Sequence, residues 1–121
     1  MSAKTASNPT PLDVLRACAT ALDDKKAESI RILDLEGKSS LADFFIVATG
    51  NSEPHLRALS QAVDKVLGDL GVPVHAIDSD VESGWVVVDA YDFMIHLFTE
   101  EKRKYYALES LWKDAREVPL A

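Results

Sequence analysis

Apolar positions recur along the chain with two different periods, and the switches between them outline the elements. From Leu12 to Ala27, residues Leu12, Leu15, Cys18, Ala19 and Leu22 share one face at helical spacing. Thr10 can cap that helix, and Pro11 suits its first turn. From Ser29 to Leu35 the period shortens, with Ile30 and Ile32 alternating with Arg31, which predicts a strand. Glu36 to Ser40 has the composition of a turn. Phe44 to Ala48 is a continuous apolar run rich in aromatic and β-branched residues, as in a central strand buried on both faces. Ser52 then caps a second helix with the stripe Leu56, Leu59, Val63, Val66, Leu67 and Leu70, and Gly71 stops it before Pro73. Val74 to Ile77 predicts a short strand, and Asp78 to Gly84 a polar turn. Trp85–Ala90 and Phe93–Phe98 flank Tyr91-Asp92 as a hairpin. Thr99 caps a last helix, with Glu100 and Glu101 in its first turn and Tyr105, Leu108, Leu111 and Trp112 on one face.

The element order is α-β-β-α-β-β-β-α. Each helix has one apolar stripe to bury, so the predicted fold is α/β, a mixed five-stranded sheet packed by helices. Residues 1–10 read as a disordered tail, 11–115 as one domain and 116–121 as an irregular tail.

The hairpin supports a sharper argument. With Tyr91-Asp92 as a two-residue loop, Ala90 faces Phe93, Asp89 faces Met94, Val88 faces Ile95, Val87 faces His96 and Val86 faces Leu97. A slip of one residue would change this pairing. One face then holds Val86, Val88, Ala90, Phe93, Ile95 and Leu97 and must be core. The other holds Trp85, Val87, Asp89, Met94, His96 and Phe98, where a solvated face would carry Lys, Glu and Thr. A large amphipathic face of this kind has two readings: a partner surface, where aromatic residues and Met are enriched, or a face covered by a helix of the same chain.

Charge narrows the partners. The chain of 121 residues carries 13 Lys and Arg against 20 Asp and Glu, a net charge of −7. Nucleic-acid binders present a basic stripe, and none is visible here; the cationic cluster Lys102-Arg103-Lys104 follows Glu100-Glu101. Direct nucleic-acid readout is not expected, whereas a basic protein would be attracted. No apolar run approaches the ~20 residues of a membrane span. The polar N-terminal stretch has no secretory pattern, so the expected location is the cytoplasm.

Catalytic chemistry finds little support. A single cysteine, Cys18, lies within a helical stripe and reads as core. His55, His75 and His96 fall on different elements without metal-ligand spacing, so no metal and no cofactor are expected. Gly50-Asn51-Ser52, at a strand-to-helix junction, is similar to the Gly-Ser start of nucleotidyltransferases. Those enzymes hold metals with a nearby Asp-x-Asp pair, and the one pair here, Asp78-Ser79-Asp80, lies a whole helix away in a turn. Asn51-Ser52 reads as turn and cap, which leaves two lesser alternatives: a metal-dependent nucleotidyl- or phosphoryl-transfer enzyme, and a homodimeric interaction module whose hairpin face is the dimer seam.

Several motifs in sequence carry a family resemblance. Ser39-Ser40-Leu41-Ala42-Asp43-Phe44-Phe45-Ile46-Val47-Ala48-Thr49-Gly50-Asn51-Ser52 resembles the signature of the ribosomal silencing factor family, related to plant Iojap. So do Ser83–Asp89, Asp92–His96 and the segment Tyr105-Tyr106-x-Leu108-Glu109-x-Leu111-Trp112. The resemblance spans about Leu12 to Asp114, with Asn51 a departure from the usual Ser or Thr. It implies a nucleotidyltransferase-like fold without the catalytic acids, and no enzyme activity. It also implies binding to the fourteenth protein of the large ribosomal subunit at the subunit interface. Bound there, the protein would block joining of the small subunit and repress translation in nutrient limitation; free, it could be a homodimer. On this reading Trp85, Met94 and Phe98 supply contact area, and Asp89, Asp92 and Glu101 pair with basic groups of the partner. Tyr105 adds an aromatic contact, or else packs in the core; Trp112 is read as core.

Overall fold

The computed structural model describes residues 10–39, 42–78, 81–113 and 115–119. Thr10 opens the first helix, α1 (Pro11–Asp24), with a reciprocal cap: its side chain accepts from the Asp13 N–H, and the Asp13 carboxylate accepts from the Thr10 N–H, both at 3.1 Å. Strand β1 (Glu28–Asp34) and strand β2 (Phe44–Gly50) pair antiparallel. Ser52 caps α2 (Glu53–Asp69) by accepting from the His55 N–H, and Gly71 takes the left-handed conformation two residues past its end. Strand β3 (Ala76–Asp78), a 3-10 turn at Val81–Ser83, strand β4 (Trp85–Ala90) and strand β5 (Phe93–Thr99) follow. Helix α3 (Glu100–Tyr106), a second 3-10 helix (Leu108–Trp112) and strand β6 (Arg116–Val118) complete the described chain.

The sheet has six strands in the order β3-β4-β5-β2-β1-β6, not five. The added strand, β6, lies in the stretch expected to be an irregular tail. It pairs antiparallel with residues 32–34 of β1, and the Arg116 guanidinium donates to the Asp34 carboxylate at 2.8 Å. The two central strands, β2 and β5, run parallel, and the other neighbouring pairs are antiparallel. Neither end of β6 has helical or long alternating patterning, so only the tertiary edge of β1 reveals it. The expectation for residues 1–9 lies outside the described residues, and Asp78-Ser79-Asp80 lies partly outside them.

One sheet face packs under α1 and α2. Val14, Leu15, Cys18, Ala19 and Leu22 of α1 and Leu56, Leu59, Val63 and Leu67 of α2 meet Ile32, Ile46, Ala48, Val86, Val88, Ile95 and Leu97 in one buried cluster. Leu12, expected in the stripe, is 40% exposed, and Val14 takes the buried place. Gly50 belongs to this packing: a Cβ there would lie 2.8 Å from a Leu56 methyl and 3.3 Å from a Leu59 methyl. Close approach of strand to helix therefore accounts for this glycine.

The last helix is shorter than its apolar spacing predicts. Ala107 adopts a left-handed conformation (φ 47°), ends α3 after seven residues, and lets the chain rewind as the 3-10 helix. This break brings Glu109 back over the sheet, where its carboxylate accepts from Arg103 at 2.8 and 3.0 Å and from Arg31. Arg103 also donates to the Ser29 carbonyl and the Thr49 hydroxyl, and Arg31 to Glu117. The C-terminal segment is thus strapped across β1 and β2. Under it, Trp112, Leu108 and Ala115 pack on the buried cluster Leu33, Leu35, Ala42 and Phe45.

Candidate functional site

The β4–β5 register is the one the two-residue loop requires, from Trp85 opposite Phe98 to Ala90 opposite Phe93. Tyr91, the first loop residue, has φ 65°, and the Asp89 carboxylate accepts from its N–H at 3.0 Å. Trp85, Val87, Asp89, Met94, His96 and Phe98 therefore share the face opposite α1 and α2. The two readings of that face divide it between them. The C-terminal strap covers its β1–β2 side and reaches Met94, while Trp85, Val87 and Asp89 on β4 stay partly exposed.

At one end of β4 the side chains form an aromatic cluster. Trp85 stacks on Phe98 (centroids 5.2 Å, 24°) and lies against Tyr106 (4.6 Å) and His96 (6.0 Å). Phe98 is fully buried, so it serves as the floor under Trp85 and Tyr106 and offers no contact area of its own, contrary to expectation. Tyr105 is 74% exposed, which excludes the core reading for it, and it packs edge-on against Tyr106. The Lys102 ammonium sits 5.3 Å from the Tyr105 ring centroid.

Tyr106 is the member that sequence reasoning missed. It is 39% exposed and shields one side of the indole. Its position depends on where α3 begins and ends. Thr99 caps the start by accepting from the Lys102 N–H, and the Thr99 N–H donates to the Gly84 carbonyl at 3.1 Å. Gly84, at φ 76°, leaves room where a Cβ would meet Lys102 at 2.6 Å. The sequence signal was the adjacent Tyr105-Tyr106 pair, whose two sides diverge once Ala107 stops the helix.

The predicted residues fall into two groups. Trp85, Phe98, Glu101 and Tyr105 lie at the α3 end; Asp89 and Met94 lie four positions away on the strand, about 13 Å at the usual strand rise. Asp92 sits apart, in the turn, where its carbonyl accepts from the Asp43 and Phe44 N–H groups. It lines a groove of about 240 Å³ on the helical side, with Pro11, Val14, Leu70, Val72 and Phe93.

On and beside the face stand the carboxylates of Asp89 and Glu101, with the Lys102 ammonium over Tyr105. Arg103 is turned inward to Glu109, and Lys104 pairs with Glu100 at 3.3 Å. Among the described residues Asp89, Asp92 and Glu101 have no basic partner. The three histidines have packing or hydrogen-bonding roles. His55 accepts from the Asn51 N–H through Nδ1 and donates through Nε2 to the Lys25 carbonyl at 2.6 Å, joining the α1 and α2 ends. His75 lies against Tyr91. His96 is buried, and its Nδ1 accepts from the Trp85 indole N–H at 3.2 Å. Burial lowers its imidazole to about 4, so it is neutral near pH 7. Burial also pushes the Cys18 thiol up to about 12, which removes it as a nucleophile. Among the described residues no group of three or more His, Cys, Asp and Glu is placed to hold a metal ion, and no helix is long and apolar enough to cross a membrane.

Fold and face together define a small mixed α/β protein whose open sheet face carries an aromatic cluster at one end and Asp89 at the other. The chain matches the family "Ribosomal silencing factor during starvation" over residues 8–121, and it belongs to that family. It is 40% identical to the ribosomal silencing factor RsfS of Bacillus subtilis over 89% of each chain. It is 32% identical to the Iojap-related mitochondrial protein of Arabidopsis thaliana, over 88% of this chain and 60% of that one. A crystal structure of a Chromobacterium violaceum protein, 36% identical, superposes with a TM-score of 0.78 over 83% of both chains.

Proposed function

We propose that this protein binds the large ribosomal subunit through its fourteenth protein and blocks joining of the small subunit, repressing translation when nutrients are short. Membership of the silencing factor family supports the ribosome as partner. The observation that carries the docking site is the partly exposed Trp85, shielded on one side by Tyr106, with the exposed Tyr105 and Glu101 at the same end of the face and Asp89 at the other. Trp and Tyr anchors in a rigid setting are the usual centres of binding energy. The carboxylates select a basic protein surface and oppose the ribosomal RNA around it. Asp89 and Glu101 pair with Lys or Arg of the partner, and Met94 extends the apolar contact. Asp92 is kept as a peripheral charge at the turn.

Obstruction needs no catalysis: a folded domain fixed at the subunit interface occupies the volume the small subunit must enter. The test is a joining assay. Purified large and small subunits are mixed with and without the protein and resolved on a sucrose gradient. The expected result is loss of joined ribosomes with the protein migrating on free large subunits. Undiminished joining at saturating protein contradicts the proposal.

A further inference from the structure

His96 is the one imidazole whose burial brings the fold no evident return. The ring is 4% exposed and packed among Phe45, Trp85 and Phe98. Its Nε2 is buried without a hydrogen-bond partner among the described residues. A buried polar atom left unpaired is a net cost, and phenylalanine would fill the same aromatic site without it. What phenylalanine lacks is Nδ1, the acceptor of the Trp85 indole N–H. For Nδ1 to accept, the proton must sit on Nε2, the atom that goes unpaired. The orphaned nitrogen and the held indole are therefore two ends of one arrangement.

We infer that His96 is a positioning residue for the docking face: by accepting from the indole it fixes Trp85 in one orientation on the open side of the sheet before a partner arrives. This rests on the docking role of Trp85 proposed above. Phe98 beneath the indole and Tyr106 beside it limit its tilt through ring contacts, but the indole N–H, which sets which way the ring edge faces, donates to His96 Nδ1. A side chain ordered in advance does not pay its ordering entropy on binding.

The experiment is a double-mutant cycle on binding to purified large subunits, with His96→Phe, Trp85→Ala and the pair. His96→Phe should fold with stability equal to or above that of the wild type and bind roughly 3–10-fold more weakly. In the Trp85→Ala background the same change should have no further effect, because there is no indole left to orient. Unchanged affinity for His96→Phe, or an equal loss in both backgrounds, overturns the inference. Nitrogen NMR of the otherwise native Trp112→Phe protein gives a readout that needs no folded His96 variant. It should show His96 protonated on Nε2 and the Trp85 indole proton protected from exchange; the opposite tautomer or a freely exchanging indole proton overturns the inference. Wild-type protein that fails to bind large subunits at all overturns the docking reading. Wild-type binding matched by His96→Phe overturns only the role of His96.

Discussion

His96 couples the acid stability of the fold to the open sheet face on which Trp85 lies. Its imidazole is faced by Phe45, Trp85 and Phe98, with Val47 and Val87 as strand neighbours, and has no ion pair among the described residues. Burial places its pKa at about 4 against an ordinary 6.5. Within that window the unfolded chain takes up a proton that the native chain refuses, so stability is full above the window and falls as pH falls through it. The loss reaches about 3 kcal/mol at its acid end. The Arg103 and Arg31 guanidinia hold Glu109 below the usual carboxylate range, and Arg116 does the same for Asp34, so both carboxylates also lose their contribution as acid protonates them. Urea unfolding measured from about pH 7 to about pH 4 should show this decline, and His96→Phe should flatten its upper part. An identical slope in the variant would refute the assignment. The role of this residue was not legible in the sequence: the alternation put His96 on the amphipathic face, but only the fold shows that Phe45, Trp85 and Phe98 enclose it.

The C-terminal segment is where sequence pattern and structure part. Periodicity located α1, α2 and the β4–β5 hairpin because each buries a regular stripe against the sheet. The spacing of Tyr105, Leu108, Leu111 and Trp112 also suits one helix, yet Ala107 breaks it. The break leaves Leu111 72% exposed and sends Trp112 onto Phe45. Charge pairing decided the outcome, because an unbroken helix would carry Glu109 away from Arg103 and Arg31. Such long-range ion pairs leave no mark on local periodicity, and β6 was hidden for the same reason. Two outcomes follow. Ala107→Gly removes the left-handed penalty at the helix end and should stabilise the protein by about 0.5–1 kcal/mol, read as a raised melting temperature. Glu109→Ala leaves the mostly buried Arg103 guanidinium without its carboxylate and should cost about 1–3 kcal/mol, with faster amide exchange concentrated in residues 107–118. Uniform exchange across the chain in that variant would show that the strap is not a separate unit.

At the scale of the whole molecule, the two sheet faces have different work. One is closed by α1 and α2 and carries the main core. The other is half closed by the strap, which leaves β4 with Trp85, Val87 and Asp89 beside α3. The hairpin argument identified this face from alternation alone, and Trp85 is not sealed beneath the helices. The two-ended layout of aromatic and acidic groups, the burial of Phe98 and the presence of Tyr106 needed the fold. With a net charge of −7, the molecule should approach a basic partner faster at low salt, and raising the ionic strength should weaken capture. The most direct measurement is cosedimentation of wild-type and Trp85→Ala protein with purified large subunits, after circular dichroism has shown that both are folded. If the open β4 face is the docking surface, the wild type travels with the subunits and Trp85→Ala binds at least about 2 kcal/mol more weakly, roughly thirtyfold. A folded Trp85→Ala protein that cosediments and silences as well as the wild type would contradict the account.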